Sequence, residues 1–274
     1  MNQAVAPSPA ALLDLALRAA RAAAEFHREQ ASRVHLRHWD EKGRFDFATE
    51  VDREAERLIV AEVRGVFPDH AFLAEEGTVG PALAGGPEPA WTWVIDPLDG
   101  TTNYLHRYPS YCASVAVLNQ REPIAGAVVA AATGEEWVAC RGGGAYRNGE
   151  PIRVSDTGEL SRALVGTGFP FRVPDRIDEY LGQLRAVLRA ASGVRRAGSA
   201  ALDLCHVACG WFDGFWELEL SPWDVAAGTL IVREAGGVVT TLDDAGDVLR
   251  VGSVLAGNPR IHELLGGVVR DARE

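Results

Sequence analysis

Apolar residues recur at helical spacing through PAALLDLALRAARAAAEFHREQ, and Ser8-Pro9 supplies an N-cap followed by a first-turn proline. That combination predicts a helix running to about Gln30. VHLRHW then alternates apolar and polar positions as a strand does. From Thr49 helical spacing returns: Val51, Ala55, Leu58, Ile59 and Val66 fall on one face and Pro68 ends the run. AFLAEE reads as a short strand closing on Glu75 and Glu76. GTVGPALAGGPEPA reads as a mobile loop with nothing to bury, and WTWVID as the strand after it.

Between Cys112 and Val154 the period changes. CASVAVL, IAGAVVAAA, EEWVAC and GAYRNGEPIRV follow one another through short turns, Asn148-Gly149 among them, and predict an antiparallel meander. Beyond Leu160 strands and helices alternate. The strands are ALVGTGF, VRRAG, FDGFWELEL, VVTTL and SVLAG; the helices run about Asp178 to Ala191, Ser199 to Cys209, Pro222 to Ala235, and onward from Pro259. No repeat and no long linker interrupts the pattern. An N-terminal α+β half (about residues 8–155) and a C-terminal α/β half (about 156–270) are therefore expected to pack as a single body over 1–274.

Composition narrows the class. Of 274 residues, 47% are hydrophobic and 24% charged, the makeup of a globular protein with a sizeable core. A formal net charge of -11 argues against a nucleic-acid partner, which asks for a basic face. No stretch reaches the roughly 20 apolar residues of a membrane span. The N-terminus lacks the basic start of a signal peptide, so a cytoplasmic protein is expected. Cys112, Cys140, Cys205 and Cys209 have neither CxxC spacing nor a zinc pattern; they read as small buried hydrophobes in a reducing compartment. Lysine occurs once, at Lys42, against 26 arginines. It is either a solvated residue of the DEKGR turn or a functional group, and both readings stand.

Five acidic residues lie where predicted elements begin or end: Asp46, Glu75, Asp96 and Asp99 within WVIDPLDGTTNY, and Asp224 in SPWDVAAG. Singly, each has an ordinary explanation. Asp-Gly is a hairpin signal, and Ser221-x-x-Asp224, like Thr49-x-x-Asp52, has capping-box spacing. Together they match the paired hard oxygen ligands that Mg²⁺ or Ca²⁺ asks for, at strand ends where α/β folds bind ligands. Gly100-Thr101-Thr102 would open a turn or helix that offers free amides to an anion. Carboxylates for cations beside amides for an anion describe a metal-assisted phosphate site. A haloacid-dehalogenase-type site would use Asp-x-Asp-x-Thr with a nucleophilic aspartate. The wider spacing here, with Pro97 after the first aspartate, favours a metal-activated water.

These residues resemble the inositol monophosphatase family. EE at 75–76, DPLDGTTNY at 96–104 and WDVAAGTLIVREAGG at 223–237 look like its three linked signatures, and DFATEVD at 46–52 like its upstream element. RRAGSAALDLCHVACGWFDGFWE at 195–217 looks like the substrate-side segment of its inositol-phosphatase branch, and the likeness runs from about residue 10 to 265. The residue before the glutamate pair, often glycine in the family, is Ala74 here.

The resemblance implies a five-layered αβαβα sandwich of the sugar-phosphatase type (α+β / α/β), usually a homodimer, requiring Mg²⁺ and often inhibited by Li⁺. It implies two or three ions per site. Glu75, Asp96 and the Leu98 carbonyl would hold the first, Asp96, Asp99 and Asp224 the second, and Glu75 a weaker third. Thr101, oriented with Glu75, would position the attacking water, and the Gly100 and Thr101 amides would bind phosphate. Asp99, Ala200, Glu217 and Asp224 would meet the substrate, with Lys42 and Asp46 in outer positions. The implied activity is Mg²⁺-dependent hydrolysis of a phosphate monoester, inositol monophosphate foremost, by in-line attack of water. Fructose bisphosphate, histidinol phosphate and phosphoadenosine phosphate are the alternatives within the superfamily. A non-catalytic binding or regulatory homologue is the alternative outside it.

Overall fold

The computed structural model describes residues 7–33, 39–43, 46–77 and 89–272, with 39–43 and 46–49 given by their backbone alone. Helix α1 (Pro9–Gln30) starts where Ser8 caps it, its hydroxyl accepting the Ala11 amide at 3.2 Å. Strands β1 (Trp39–Gly43) and β2 (Asp46–Thr49) form an antiparallel ribbon leading into α2 (Glu50–Val66).

The large sheet follows. It contains β3 (Ala71–Ala74), β4 (Trp91–Asp99), β5 (Cys112–Asn119), β6 (Glu122–Ala130), β7 (Glu135–Cys140), β8 (Ala145–Arg147) and β9 (Glu150–Pro151), side by side in that order. Only the β3–β4 pair is parallel; the rest is the expected antiparallel meander. Asn148 (φ 50°) and Gly149 (φ 82°) turn β8 into β9 with the left-handed pair that such hairpins require. A short helix, α3 (Thr101–Leu105), separates β4 from β5.

The second half supplies β10 (Leu164–Thr167), α4 (Ile177–Ala190), β11 (Gly193–Arg195), α5 (Ala200–Ala208), β12 (Gly214–Glu217), α6 (Pro222–Glu234), β13 (Val238–Thr240), α7 (Val248–Val251), β14 (Val254–Gly257) and α8 (Pro259–Asp271). Its strands lie in the order β11-β10-β12-β14-β13, with β10 parallel to β11 and β12, and β14 antiparallel to both its neighbours.

Packing stacks these parts into five layers. Helices α1 and α2 cover one face of the large sheet, burying Leu12, Ile59, Trp93 and Val115. Helices α5 and α6 lie between the sheets, where Leu204, Val225 and Ile231 meet Val128 and Phe215. Helices α4 and α8 close the far side over Tyr180, Trp216 and Leu265. This is the αβαβα sandwich that the resemblance implies.

The structure corrects several local expectations. The buried face of α2 is Asp52, Ala55, Glu56, Ile59, Val60 and Val63, whereas Val66 is 51% exposed. A face drawn from apolar residues alone is rotated away from the true one, because two carboxylates belong to it. Cys140 and Cys209 are half-buried, not core residues like Cys112 and Cys205. The turn or helix expected at Gly100-Thr101-Thr102 is the short helix α3, whereas α7 was not foreseen. Most of VHLRHW and of the glycine- and proline-rich loop lies outside the described residues.

Candidate active site

Strand β4 runs buried between β3 and β5 of the large sheet and carries Asp96 and Asp99 at its end. Residues three apart on a regular strand point to opposite faces. Here Asp96 pairs with Ser114 of β5 and Asp99 with Cys112, so three steps on β4 match two on β5. That one-residue bulge, with Pro97 inside it where no ladder donor is needed, returns both aspartates to the same side. Asp96 is 1% exposed, and its Oδ1 accepts the Leu98 amide at 3.0 Å.

Gly100 follows with φ 94°, and a Cβ there would sit 2.8 Å from the Ser110 carbonyl oxygen. The chain therefore turns tightly and starts α3 at Thr101. The Thr101 hydroxyl lies 2.9 Å from Asp52 Oδ1 and 3.1 Å from the Leu98 carbonyl oxygen, donating to these acceptors. The carboxylate that Thr101 bonds is thus Asp52, on the buried face of α2. Glu75 follows β3, and its amide donates to the Ile95 carbonyl at 3.2 Å, which holds it beside Asp96.

The other side of the cavity comes from the second half. Asp99 Oδ2 accepts from the Ser199 hydroxyl at 2.6 Å and from the Ala201 amide at 2.8 Å, so the start of α5 is tied to the end of β4. Asp224 stands in the first turn of α6 and completes a capping box with Ser221, accepting its amide at 2.6 Å. The capping reading of Asp224 is therefore correct as geometry, and the same side chain borders the cavity. Glu217 ends β12. A Cβ at residue 168 would lie 1.8 Å from Glu217 Oε1, so Gly168 leaves the room that this carboxylate fills.

Around these groups is a cavity of about 200 Å³ that also exposes Leu98, Gly100, Thr101 and Ala200. Phe169, Phe171, Arg172 and Arg196 form its mouth. Arg196 stacks on both phenylalanine rings, 5.0 and 5.3 Å from their centroids. Arg172 reaches to 3.6 Å from Glu75 Oε1.

Electrostatics give the site its character. Burial, and then the neighbouring charges of Glu75, Asp99 and Asp224, hold the Asp96 carboxyl far above the usual range. Asp99 is pushed up to about 7 by burial and then by Asp224, against the lowering hydrogen bonds from Ser199, Ala201 and Ala200. Glu217 is raised strongly by burial and then by Asp203. Carboxylates that raise one another's pKa in this way are relieved by a cation among them, and the donors are the hard oxygens that Mg²⁺ takes. The residues present therefore fit a divalent ion. Among the described residues, no three His, Cys, Asp or Glu side chains are already closed on one point. Asp96, Asp99 and Asp224 each have an oxygen engaged by a backbone amide.

The sequence-based candidates Glu75, Asp96, Leu98, Asp99, Gly100, Thr101, Ala200, Glu217 and Asp224 all border this one cavity. Lys42 and Asp46 lie on β1 and β2, where only the backbone is described. Sequence reasoning missed Asp52, Gly168, Arg172 and Ser199. Asp52 carried a signal, a charged residue interrupting an apolar helix face; the others become visible only through tertiary contact.

Comparison with known proteins agrees. The sequence pattern of the inositol monophosphatase family matches residues 9–274. The chain is 44% identical over 257 residues to the Nus factor SuhB of Pseudomonas aeruginosa, covering 93% of this chain and 94% of that protein. It is 44% identical over 229 residues to the inositol-1-monophosphatase of Rhizobium meliloti, covering 84% and 85%. Among solved structures, the extragenic suppressor protein suhB from Bartonella henselae superposes with a TM-score of 0.90 at 37% identity, over 95% of this chain and 98% of that one. The inositol monophosphatase from Anabaena gives 0.82 at 38%, over 94% and 95%. The chain belongs to the inositol monophosphatase family.

Proposed function

We propose that this chain is a Mg²⁺-dependent phosphate monoester hydrolase acting on inositol monophosphate or a closely similar polyol phosphate. One observation carries the reading: Glu75, Asp96, Asp99 and Asp224 converge on a cavity that also holds the Gly100–Thr101 turn. Family membership and the inositol-1-monophosphatase relative support the substrate class.

Two or three divalent ions at Glu75, Asp96, the Leu98 carbonyl, Asp99 and Asp224 would neutralise phosphate charge and make a water more acidic. The chain's own groups do the rest. Thr101 donates its hydroxyl proton to Asp52, which turns the lone pairs of Thr101 Oγ1 towards an incoming water. The water is thereby aimed at phosphorus, and Asp52 is the carboxylate to which its proton can pass. The amides of Gly100 and Thr101, at the start of α3, donate to the phosphate oxygens. Glu217 and Asp99 accept hydroxyl protons from the polyol and the Ala200 amide donates, so the ring is held while the ester bond breaks.

The expected homodimer rests on the resemblance alone. A cytoplasmic location is supported by the four free cysteines, Cys112, Cys140, Cys205 and Cys209. A second reading has its own support: the relative at 44% identity is named a Nus factor, so the chain could serve in that capacity with or without catalysis.

A panel of phosphate monoesters assayed with Mg²⁺ tests the primary reading. The highest kcat/KM is expected for inositol monophosphate, above fructose bisphosphate, histidinol phosphate and phosphoadenosine phosphate. Asp96→Asn should lower it by orders of magnitude without unfolding the protein. A folded protein that hydrolyses none of these esters with Mg²⁺ would sink the catalytic reading and leave the Nus-factor one.

A further inference from the structure

The turn that joins β12 to α6 holds a glutamate in a backbone conformation that glutamate resists. Glu219 has φ 60°, in the left-handed region. There Cβ crowds the following carbonyl oxygen, and glycine is the residue that enters freely. The turn is pinned on both sides. Glu217 pairs with Val254 of β14, the Leu220 amide donates to the Gly252 carbonyl at 2.6 Å, and the Ser221 amide donates to Asp224. A glycine would complete this turn without strain. The side chain that stands there instead lines the same cavity as Glu217 and Asp224. Backbone strain of this kind clusters at ligand sites, where the strained residue has a task.

Glu219 is also oriented. Arg176, just ahead of α4, directs Nε and Nη2 as a fork onto Glu179, at 2.8 and 2.9 Å, and its Nη1 donates to Glu219 Oε1. A guanidinium fixed by one carboxylate can hold a second in a set direction. Among the described residues, Glu219 Oε2 has no hydrogen-bond partner. An ionised carboxylate oxygen only accepts, and Arg176 already supplies positive charge. A neutral donor, a ligand's hydroxyl, therefore suits it better than a second cation.

We propose that Glu219 is a specificity-determining residue for the reaction proposed above. Its Oε2 accepts a further hydroxyl of the polyol, beyond those held by Glu217 and Asp99, and Arg176 is its positioning residue. The inference rests on that catalytic reading and extends it: a second acceptor two residues from Glu217 fixes the rotation of a ring that one acceptor leaves free to turn.

Steady-state kinetics on inositol monophosphate and on p-nitrophenyl phosphate, which has no hydroxyl to offer, test it. Glu219→Gly removes the carboxylate and suits the backbone, so the metal-free melting temperature should not fall. On inositol monophosphate KM should rise roughly tenfold with kcat little changed, and the loss of kcat/KM should exceed that on the aryl ester by about the same factor. Arg176→Gln should act in the same direction and by less, because the carboxylate remains. The proposal is overturned if Glu219→Gly lowers kcat/KM equally on both esters or on neither, if the wild type hydrolyses the aryl ester alone, or if Arg176→Gln has the larger effect, which would make the pair a tether. If the wild type hydrolyses neither ester, the catalytic reading fails, and calorimetric titration of inositol monophosphate in Mg²⁺ decides this one. An affinity roughly tenfold lower in Glu219→Gly upholds the acceptor role; equal affinities, or no binding, overturn it.

Discussion

Asp52 is where a single side chain says most about the chemistry. It is almost wholly buried, yet it accepts from Thr101 beside the cavity, and a carboxylate is kept inside a core only where it is engaged. Asp52→Asn preserves the shape and the acceptor oxygen but removes the charge and the basic group. We expect kcat to fall by about 10²–10⁴, with KM and the metal-free melting temperature nearly unchanged, in steady-state kinetics and calorimetry. A matching fall in melting temperature would make Asp52 structural. Asp99 offers a test through pH. Its folded-state pKa, near 7, is raised above that of an unfolded aspartate, so the folded protein binds the extra proton. That contribution to stability is complete below about pH 4 and is lost as pH rises through 7. In chelator, the melting temperature of Asp99→Asn relative to wild type should therefore climb between pH 5 and pH 8. A difference that stays flat would show that burial and the Asp224 charge do not raise the Asp99 carboxyl.

Among the elements, α6 carries two duties on one residue. Asp224 closes the capping box with Ser221 and also borders the cavity. Asp224→Asn keeps an oxygen for the Ser221 amide, so the metal-free melting temperature should hold. The Mg²⁺ concentration for half-maximal rate should rise at least tenfold, because a neutral oxygen replaces a charged ligand. Superimposable Mg²⁺ curves for mutant and wild type would leave Asp224 a cap alone. The same scale shows what the sequence could disclose. The meander, the alternation after Leu160 and the helices at Ser8-Pro9 and Ser221-Pro222 were readable because period and caps are local properties. The carboxylate cluster was readable because its members stand at element ends. The face of α2 was misjudged since apolar periodicity gives no weight to a buried Asp52 or Glu56. The bulge in β4 could not be read at all: it exists only in the register against β5, a relation between residues far apart in the chain.

At the scale of the molecule, Asp99 of the large sheet is bonded to Ser199 and Ala201 at the start of α5, so the two halves share the site's hydrogen bonds. We propose that the chain unfolds as one body. Calorimetry should show a single transition that moves upward with added Mg²⁺, since a ligand binding only the folded state stabilises it in proportion to the logarithm of its concentration. Two resolved transitions, with only one responding to Mg²⁺, would show that the halves fold independently. The arrangement of the cavity wall has a wider consequence. Glu75, Asp96 and Asp99 arrive before residue 100, and Glu217 and Asp224 after residue 216. No contiguous half of the gene encodes a complete set of oxygen donors. On the proposed reading, a chain that stops before α6 lacks Asp224 and is expected to show no hydrolysis however well its first half folds.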